Sequence, residues 1–361
     1  MKNKVAILMS GGVDSSTAAY ILVKNGYDVI GVTLKLWQCG KTDNLQRQIC
    51  CSPHDIYDAK NVCSQLGIKH YVLDLSKEFE EIVIKYFCLK YKMGYTPNPC
   101  IICNEKIKFG IAFEKLKELT GIEFLATGHY ARVVKTRQKF YIAKAKDEYK
   151  DQSYFLCTVP NNVLPHIMFP LGNLTKKDVR EIAASAGLKV AHKKESFDIC
   201  FIADRDYKNF LRTKGIEVFR KGKILNIHTN KFLGYHNGYM CYTIGQREGL
   251  GLKNLTTRMY VVKTDPETNI VYVGEEKDLY SSELLITNPI FYESKYNLLK
   301  KRKVYVKIRY KTPPVKCNLS LSDGNLIKVM FETPQRAVTR GQYAAIYDLV
   351  GRILLSGEIC G

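Results

Sequence analysis

Residues 4–15 read KVAILMSGGVDS. A short apolar run, fit to be a buried strand, meets two adjacent glycines, an acid and serines, and from Ser15 apolar residues return at helical spacing until Gly26. A strand, a glycine turn and a helix in that order aim backbone N–H groups and the positive helix end into one concavity. Ser10, Ser15 and Ser16 add hydroxyls to what is then an anion site. A Walker A loop would read GxxxxGK[ST]; here the lysine is missing and the glycines are adjacent. The stretch predicts phosphate binding of another kind, against the plainer reading of a bare turn.

Outward from it the alternation continues. Residues 27–34 read as a strand, 55–66 as a helix stopped by Gly67, and 69–73 as a strand. A helix is expected from 77 to about 92, another at 109–119 after the turn-rich TPNPC, then a strand at 123–127. Such alternation predicts an α/β fold, a parallel sheet with helices on both faces. Ligands bind such sheets at the carboxyl ends of strands, where SGGVDS, the loop after Leu34 and TGHYAR all fall. Residues 175–186 form a helix with Thr175 as N-cap and Gly187 as stop. From about Phe219 short strands alternate with Gly and Asn turns, and from Leu284 the pattern is that of a small barrel. The expected domains are a catalytic one over 1–207, helical near 160–200, a β-rich central one over 208–280, and a C-terminal β-barrel over 281–361.

The composition of these 361 residues, 46% apolar and 25% charged, is that of a globular chain. No stretch approaches the roughly 20 apolar residues of a membrane helix. The start, Met1-Lys2-Asn3-Lys4, does not look like a targeting peptide, so a cytoplasmic protein is expected. Lys and Arg number 55 against 35 Asp and Glu, and a net charge of +20 attracts a polyanion. In a reducing compartment the 12 cysteines form no disulfide framework, and most are expected to be small buried hydrophobes.

Two cysteine clusters keep polar company. TPNPCIICNEKIKFG places Cys100 and Cys103 after a Pro-Asn-Pro loop and ahead of a helix, among Lys106 and Lys108; such a setting favours the thiolate. HKKESFDICFI places Cys200 behind His192, Lys193 and Lys194. Core thiols are the bland alternative. Zinc is short of partners, since one CxxC and a distant Cys give three ligands where structural zinc takes four.

SGGVDS resembles the loop of the PP-loop ATP pyrophosphatases, which split ATP between its α and β phosphates and adenylate an oxygen of the substrate. Further motifs, in order, are CCS at Cys50 to Ser52, TPNPCIICNEKIKF, ATGHYAR, KDQSYFL, FPLGNLTKKDVREIA, KKESFDICFI, YTIGQREGLG and FETPQRAVTRGQ. With these the chain resembles the tRNA-specific 2-thiouridylases over nearly its whole length. That family puts sulfur on C2 of the wobble uridine in tRNAs for Lys, Glu and Gln.

The resemblance implies ATP, with Mg²⁺, on Leu8, Met9, Ser10, Gly11, Gly12, Val13, Asp14, Ser15, Leu34 and Gly128. It implies that Cys200 carries a persulfide, that Cys103 is the nucleophile, and that the two close a transient disulfide, with C2 attacked either by the persulfide sulfur or by hydrosulfide that Cys103 releases. The implied tRNA contacts are Asn98, Pro99 and Cys100 beside the target base, His129, Lys150, Asp151, Gln152, Arg309, Tyr310 and Gln342. The implied partners of this monomer are the tRNA anticodon arm and a sulfur-donor protein of a cysteine desulfurase relay. Many members have Asp at the place of Cys100, so an alternative is a [4Fe–4S] cluster on Cys100, Cys103 and Cys200. Arg340 stands where the family pattern has proline. Taken alone, KDQ is a solvated charged turn, His129 is as readily structural, and Lys176, Lys177 and Arg180 either follow a tRNA stem or merely face solvent. The rivals are an amide-forming PP-loop ligase, which needs no cysteine pair, and a non-catalytic tRNA-binding protein, which would not need Gly11, Gly12 and Asp14 intact.

Overall fold

The computed structural model describes residues 3–37, 53–191, 193, 199–202, 206–253, 257–299 and 303–361. Two compact units emerge, one of Met1–Ile84, Pro99–Arg205 and Val350–Ile353, the other of Lys85–Asn98, Asp206–Leu349 and Leu354–Gly361.

In the first unit β1 (Lys4–Leu8), α1 (Val13–Lys24), β2 (Asp28–Lys35), α2 (Pro53–Gln65) and β3 (Lys69–Asp74) follow the expected order. Helix α3 (Ser76–Phe79) runs into wider π-helical turns over Glu80–Ile84, and α4 (Lys85–Lys92) carries the chain into the second unit. A helix then opens as α5 (Pro99–Ile102), widens into π-helical turns over Cys103–Ala112 and closes as α6 (Phe113–Thr120). Strand β4 (Phe124–Ala126), the hairpin β5 (Arg132–Thr136) and β6 (Lys139–Ala143), and β7 (Ile167–Met168) follow. The parallel sheet has the order β3-β2-β1-β4-β7. Central β1 has a strand on each side and is covered on both faces, so Val5, Ala6 and Ile7 are fully buried and alternation gives way to a continuous apolar run. Gly31 of β2 is bare because a Cβ there would collide with Cys63 Sγ of α2. Burial pushes the Cys63 thiol up to about 12, and that of Cys317 likewise, so both are core thiols of the expected kind.

Helix α7 (Lys176–Ser185) starts in a capping box. Asp178 N donates to Thr175 Oγ1 at 3.2 Å and Thr175 N to Asp178 Oδ2 at 2.8 Å, and the bond from Thr175 N above all holds the Asp178 carboxyl below its ordinary range. Thr175→Ala removes one of these bonds and is expected to lower stability by about 1 kcal/mol, read as a fall in the urea midpoint at constant slope.

In the second unit α4 packs Phe87 and Tyr91 on α8 (Tyr207–Thr213), with the Tyr91 and Tyr207 rings stacked at 4.9 Å. Strands β8 (Gly222–Asn226), β9 (Phe232–His236), β10 (Tyr260–Asp265) and β11 (Ile270–Gly274) form a sheet ordered β10-β11-β8-β9 around Ile224, Val261, Val271 and Val273. Next come β12 (Tyr280–Phe291), the short α9 (Lys295–Leu299), β13 (Val304–Lys307), β14 (Val315–Leu321), β15 (Ile327–Arg336), β16 (Tyr343–Tyr347) and β17 (Ile353–Ile359). They close a barrel in the order β12-β15-β14-β13-β16-β17, with β12 pairing to both β15 and β17. Among the described residues no helix is long and apolar enough to cross a membrane.

Candidate active site

The loop between β1 and α1 is shaped by two glycines that are not interchangeable with other residues. Gly11 takes φ +69°, and a Cβ there would strike the carbonyl oxygen of Asp55 in the first turn of α2. Gly128, just beyond β4, lies so close to the start of α1 that a Cβ would sit 2.7 Å from Ser15 N. Hydroxyls close the loop. Ser10 N donates to Ser15 Oγ at 3.2 Å, and Ser16 Oγ donates to the Gly12 carbonyl at 2.8 Å. Leu8, Met9, Val13, Ser15 and Leu34 are buried and form the loop's back wall, while Ser10, Gly12 and Asp14 reach solvent.

Charge is arranged around this loop by distant parts of the chain. Tyr130 Oη donates to Asp14 Oδ1 at 2.8 Å, and Lys176 Nζ donates to Asp14 Oδ1 and Oδ2 at 2.7 and 2.9 Å. Lys176 therefore faces the loop, a correction to its reading as part of a stem-facing or solvent-facing helix surface. Lys177 remains exposed beside Glu181. On the other flank Lys193 Nζ donates to Gly11 O at 3.1 Å, Asp55 Oδ1 at 2.9 Å and Asp58 Oδ2 at 2.6 Å. Burial works against the Lys193 charge, but the bonds to Asp58 and Asp55 outweigh it and hold its pKa above the ordinary lysine value.

The cysteines sit differently from the expectation. Cys100 and Cys103 do not precede the helix; Pro99 opens α5, which holds Cys100, and Cys103 stands where the winding changes from α to π. Proline suits a first helical turn because the N–H it lacks has no partner there. Cys103 is buried, and Cys100 and Cys200 are half-buried. Phe201, next to Cys200, is buried against Phe79 at 5.7 Å. Among the described residues the His, Cys, Asp and Glu set within reach of one ion is His54, Asp55 and Asp58; the three cysteine sulfurs do not draw together to that degree. Cys50 to Ser52, His192 and Lys194 lie outside the described residues.

Next to Cys103, buried Asn104 donates to Phe155 O at 2.9 Å and accepts from Lys108 Nζ at 2.9 Å. Gln152 joins Tyr130 twice, its N donating to Tyr130 O at 2.7 Å and its Oε1 accepting from Tyr130 N at 2.9 Å. Asp151 is buried, accepting from Ala145 N, Ser153 N and Ser153 Oγ, so the solvated reading of KDQ is wrong for its carboxylate. Lys150 is half-buried beside it. His129 binds Thr127 Oγ1 through Nδ1 at 2.7 Å, and its ring clusters with those of Phe109 and Phe169, at 6.3 and 6.1 Å. Desolvation, with the Lys108 charge adding to it, holds the imidazole well below its ordinary pKa, so it is neutral near pH 7.

In the second unit, Arg309 donates to Ala337 O and Thr339 Oγ1, and Lys307 Nζ lies 5.6 Å from the Tyr310 ring. Gln342 Nε2 donates to Thr96 O at 2.8 Å and Thr96 N to Arg340 O at 3.0 Å. The barrel turn thereby holds the strand of chain that leads through half-buried Asn98.

Three family models match the chain in sequence: a tRNA methyl transferase HUP domain over 3–204, a tRNA methyl transferase PRC-barrel domain over 208–275, and an aminomethyltransferase beta-barrel domain over 281–359. The tRNA-specific 2-thiouridylase MnmA 1 of Caldanaerobacter subterraneus subsp. tengcongensis is 44% identical over 99% of this chain and 98% of its own. Its namesakes from Hydrogenobaculum sp. (43%, over 98% of this chain and 99% of its own) and Clostridium acetobutylicum (41%, over 99% of each) are similar. The chain belongs to the tRNA-specific 2-thiouridylase family.

For a thiouridylase the network has a simple layout. From Asp14 through Tyr130 to Gln152, and from Phe155 through Asn104 to the turn after Cys103, hydrogen bonds join the SGGVDS, TGHYAR, KDQSYFL and CNEK motifs in one unit. Sequence reasoning missed Tyr130, Lys176, Lys193, Asp55, Asp58 and Asn104 as members of the site. Tyr130, Asn104 and Lys193 lie inside quoted motifs and had a signal, Lys193 only as a neighbour of Cys200. Lys176 had none, since it stands 162 positions from the carboxylate it binds.

Proposed function

We propose that this chain is an ATP-dependent tRNA-uridine 2-sulfurtransferase that thiolates C2 of the wobble uridine in tRNAs for Lys, Glu and Gln. The observation that carries the reading is the presence in one compact unit of a glycine loop without a Walker lysine, at the start of α1, and of two cysteines, Cys103 and Cys200, in polar motifs. ATP lies on Ser10 to Ser15, its phosphates taking the loop amides and the start of α1. Mg²⁺ arrives with the triphosphate, whose own oxygens are the hard donors such an ion takes. Uracil O2 attacks the α phosphate, pyrophosphate leaves, and O2 becomes a good leaving group as AMP. The outer sulfur of the Cys200 persulfide attacks C2 and AMP departs. Cys103 thiolate then attacks Cys200 Sγ, leaving sulfur on C2 and a Cys103–Cys200 disulfide that a thiol reductant must open before the next turnover. Neutral His129 offers no charge to the base, only a hydrogen-bonding ring.

The RNA face is proposed on charge. From Val218 to Arg247 the sequence holds no Asp or Glu but five Lys and Arg, and Phe232 and Tyr235 are exposed there, with Lys221 4.2 Å from the Tyr235 ring. Arg309 and Tyr310 of the same unit are further expected contacts, and the first unit has its own in Lys150. If roughly five phosphates are neutralised, tRNA affinity is expected to fall about a hundredfold between ~50 and ~200 mM salt; a flat titration contradicts an electrostatic face. The sulfur comes from a persulfide-carrying protein, and the enzyme works as a cytoplasmic monomer.

The test is incubation of the protein with ATP, a tRNA for Glu and a cysteine desulfurase relay, followed by nucleoside mass spectrometry and iron analysis. Thiouridine made without iron supports the reading. Activity that follows about four bound irons would assign Cys100, Cys103 and Cys200 to a [4Fe–4S] cluster instead.

A further inference from the structure

Lys193 stands at the meeting of three parts of the first unit. Its ammonium has three protons and three acceptors, Gly11 O of the nucleotide loop and the carboxylates of Asp55 and Asp58 on α2. The side chain is 21% exposed and its acidic partners 16% and 18%, so these are not solvent-screened surface pairs, and each bond is directional. Gly11 is the loop residue that the first turn of α2 already crowds. Lys193 also lies seven positions before Cys200 in the sequence, and the residue after Cys200, Phe201, is buried against Phe79. Lys193 and Phe201, which flank Cys200 in the sequence, are thus each held, the one to the nucleotide loop and α2 and the other to Phe79.

This arrangement bears on the fate of the adenylated uridine, a deepening that rests on the proposed function. The adenylate has two competitors for its C2. Attack by the Cys200 persulfide gives thiouridine and AMP. Attack by water gives back uridine and AMP, so the net reaction is ATP + H₂O → AMP + pyrophosphate with the tRNA unchanged. A persulfide docked against the formed nucleotide loop wins that contest; one that is free to wander loses it. We infer that Lys193 is a positioning residue that couples adenylation to sulfur transfer by fastening the Cys200 segment to Gly11, Asp55 and Asp58.

The experiment measures AMP released per thiouridine formed, with wild-type protein, ATP, tRNA and persulfide donor. Wild type is expected near one AMP per thiouridine. Lys193→Met is expected to raise the ratio at least fivefold and to lower the thiolation rate, with KM for ATP within about threefold of wild type. Lys193→Arg, which keeps the charge and two of the three bonds, should restore the ratio in part. The double variant Asp55→Asn with Asp58→Asn keeps the lysine but loosens its anchors, and should also raise the ratio, which covers the case that Lys193→Met does not fold. A ratio that stays at one in folded variants, whether the rate falls or only KM for ATP rises, overturns the inference and makes Lys193 a nucleotide-binding or merely structural group. If wild type yields no thiouridine, it is the proposed function that fails.

Discussion

Cys200→Ser is expected to abolish thiolation, by about a thousandfold or more, while leaving the fold and ATP binding as they are. The exchange is nearly isosteric at a half-buried position, so packing changes little. The chemistry changes completely, because a serine oxygen cannot hold and release a sulfane sulfur. Cys103→Ser should also stop turnover, though its buried site makes some loss of stability part of the result. Cys63 is the control. Its thiol, pushed up to about 12 by burial, packs beneath Gly31, and Cys63→Ala is expected to lower stability yet keep thiolation per folded molecule. The pattern separates the reading from a PP-loop ligase, whose activity would survive Cys200→Ser. Rates with a persulfide donor, beside urea midpoints for the three variants, check it.

The second large effect is expected at Gly128. A Cβ there would lie 2.7 Å from Ser15 N, 2.8 Å from Asp14 C and 3.1 Å from Ser15 Cα, all backbone atoms of the turn into α1. None is the far end of a flexible side chain, so Gly128→Ala must push the loop or the strand end away. Overpacking of this kind costs roughly 1–3 kcal/mol. Here the displaced atoms include the amides that would hold phosphate. A tenfold to hundredfold loss in kcat/KM for ATP is therefore expected, with ATP affinity by calorimetry falling in step. Unchanged affinity would show that the loop does not bind the nucleotide through these amides.

What the sequence disclosed and what it hid follow from the range of the interactions. The SGGVDS loop was legible because its determinants, strand, glycines and helix start, are neighbours in the chain. The strands of the C-terminal domain were legible from their alternation. The closing of β12 on β17 rests on pairings such as Ile286 with Ile359, which no local pattern carries. Pro99 misled because a proline between turn residues reads as loop, although the first turn of a helix accepts it equally well. Asp151 misled because a charged residue in a turn reads as solvated, whereas its carboxylate caps the turn from inside, taking bonds from Ala145 and Ser153. Lys176 and Lys193 are lysines in a lysine-rich chain, and composition conceals the two that matter to the loop.

The most direct measurement is a single turnover with protein whose Cys200 carries an isotopically heavy outer sulfur, mixed with ATP and an unmodified tRNA for Glu, without any other donor. The account predicts heavy sulfur at C2 of the wobble uridine, one AMP and one pyrophosphate released, and a Cys103–Cys200 disulfide in the peptide map. Thiouridine without the label, or full label retained on Cys200 after AMP is released, would contradict it.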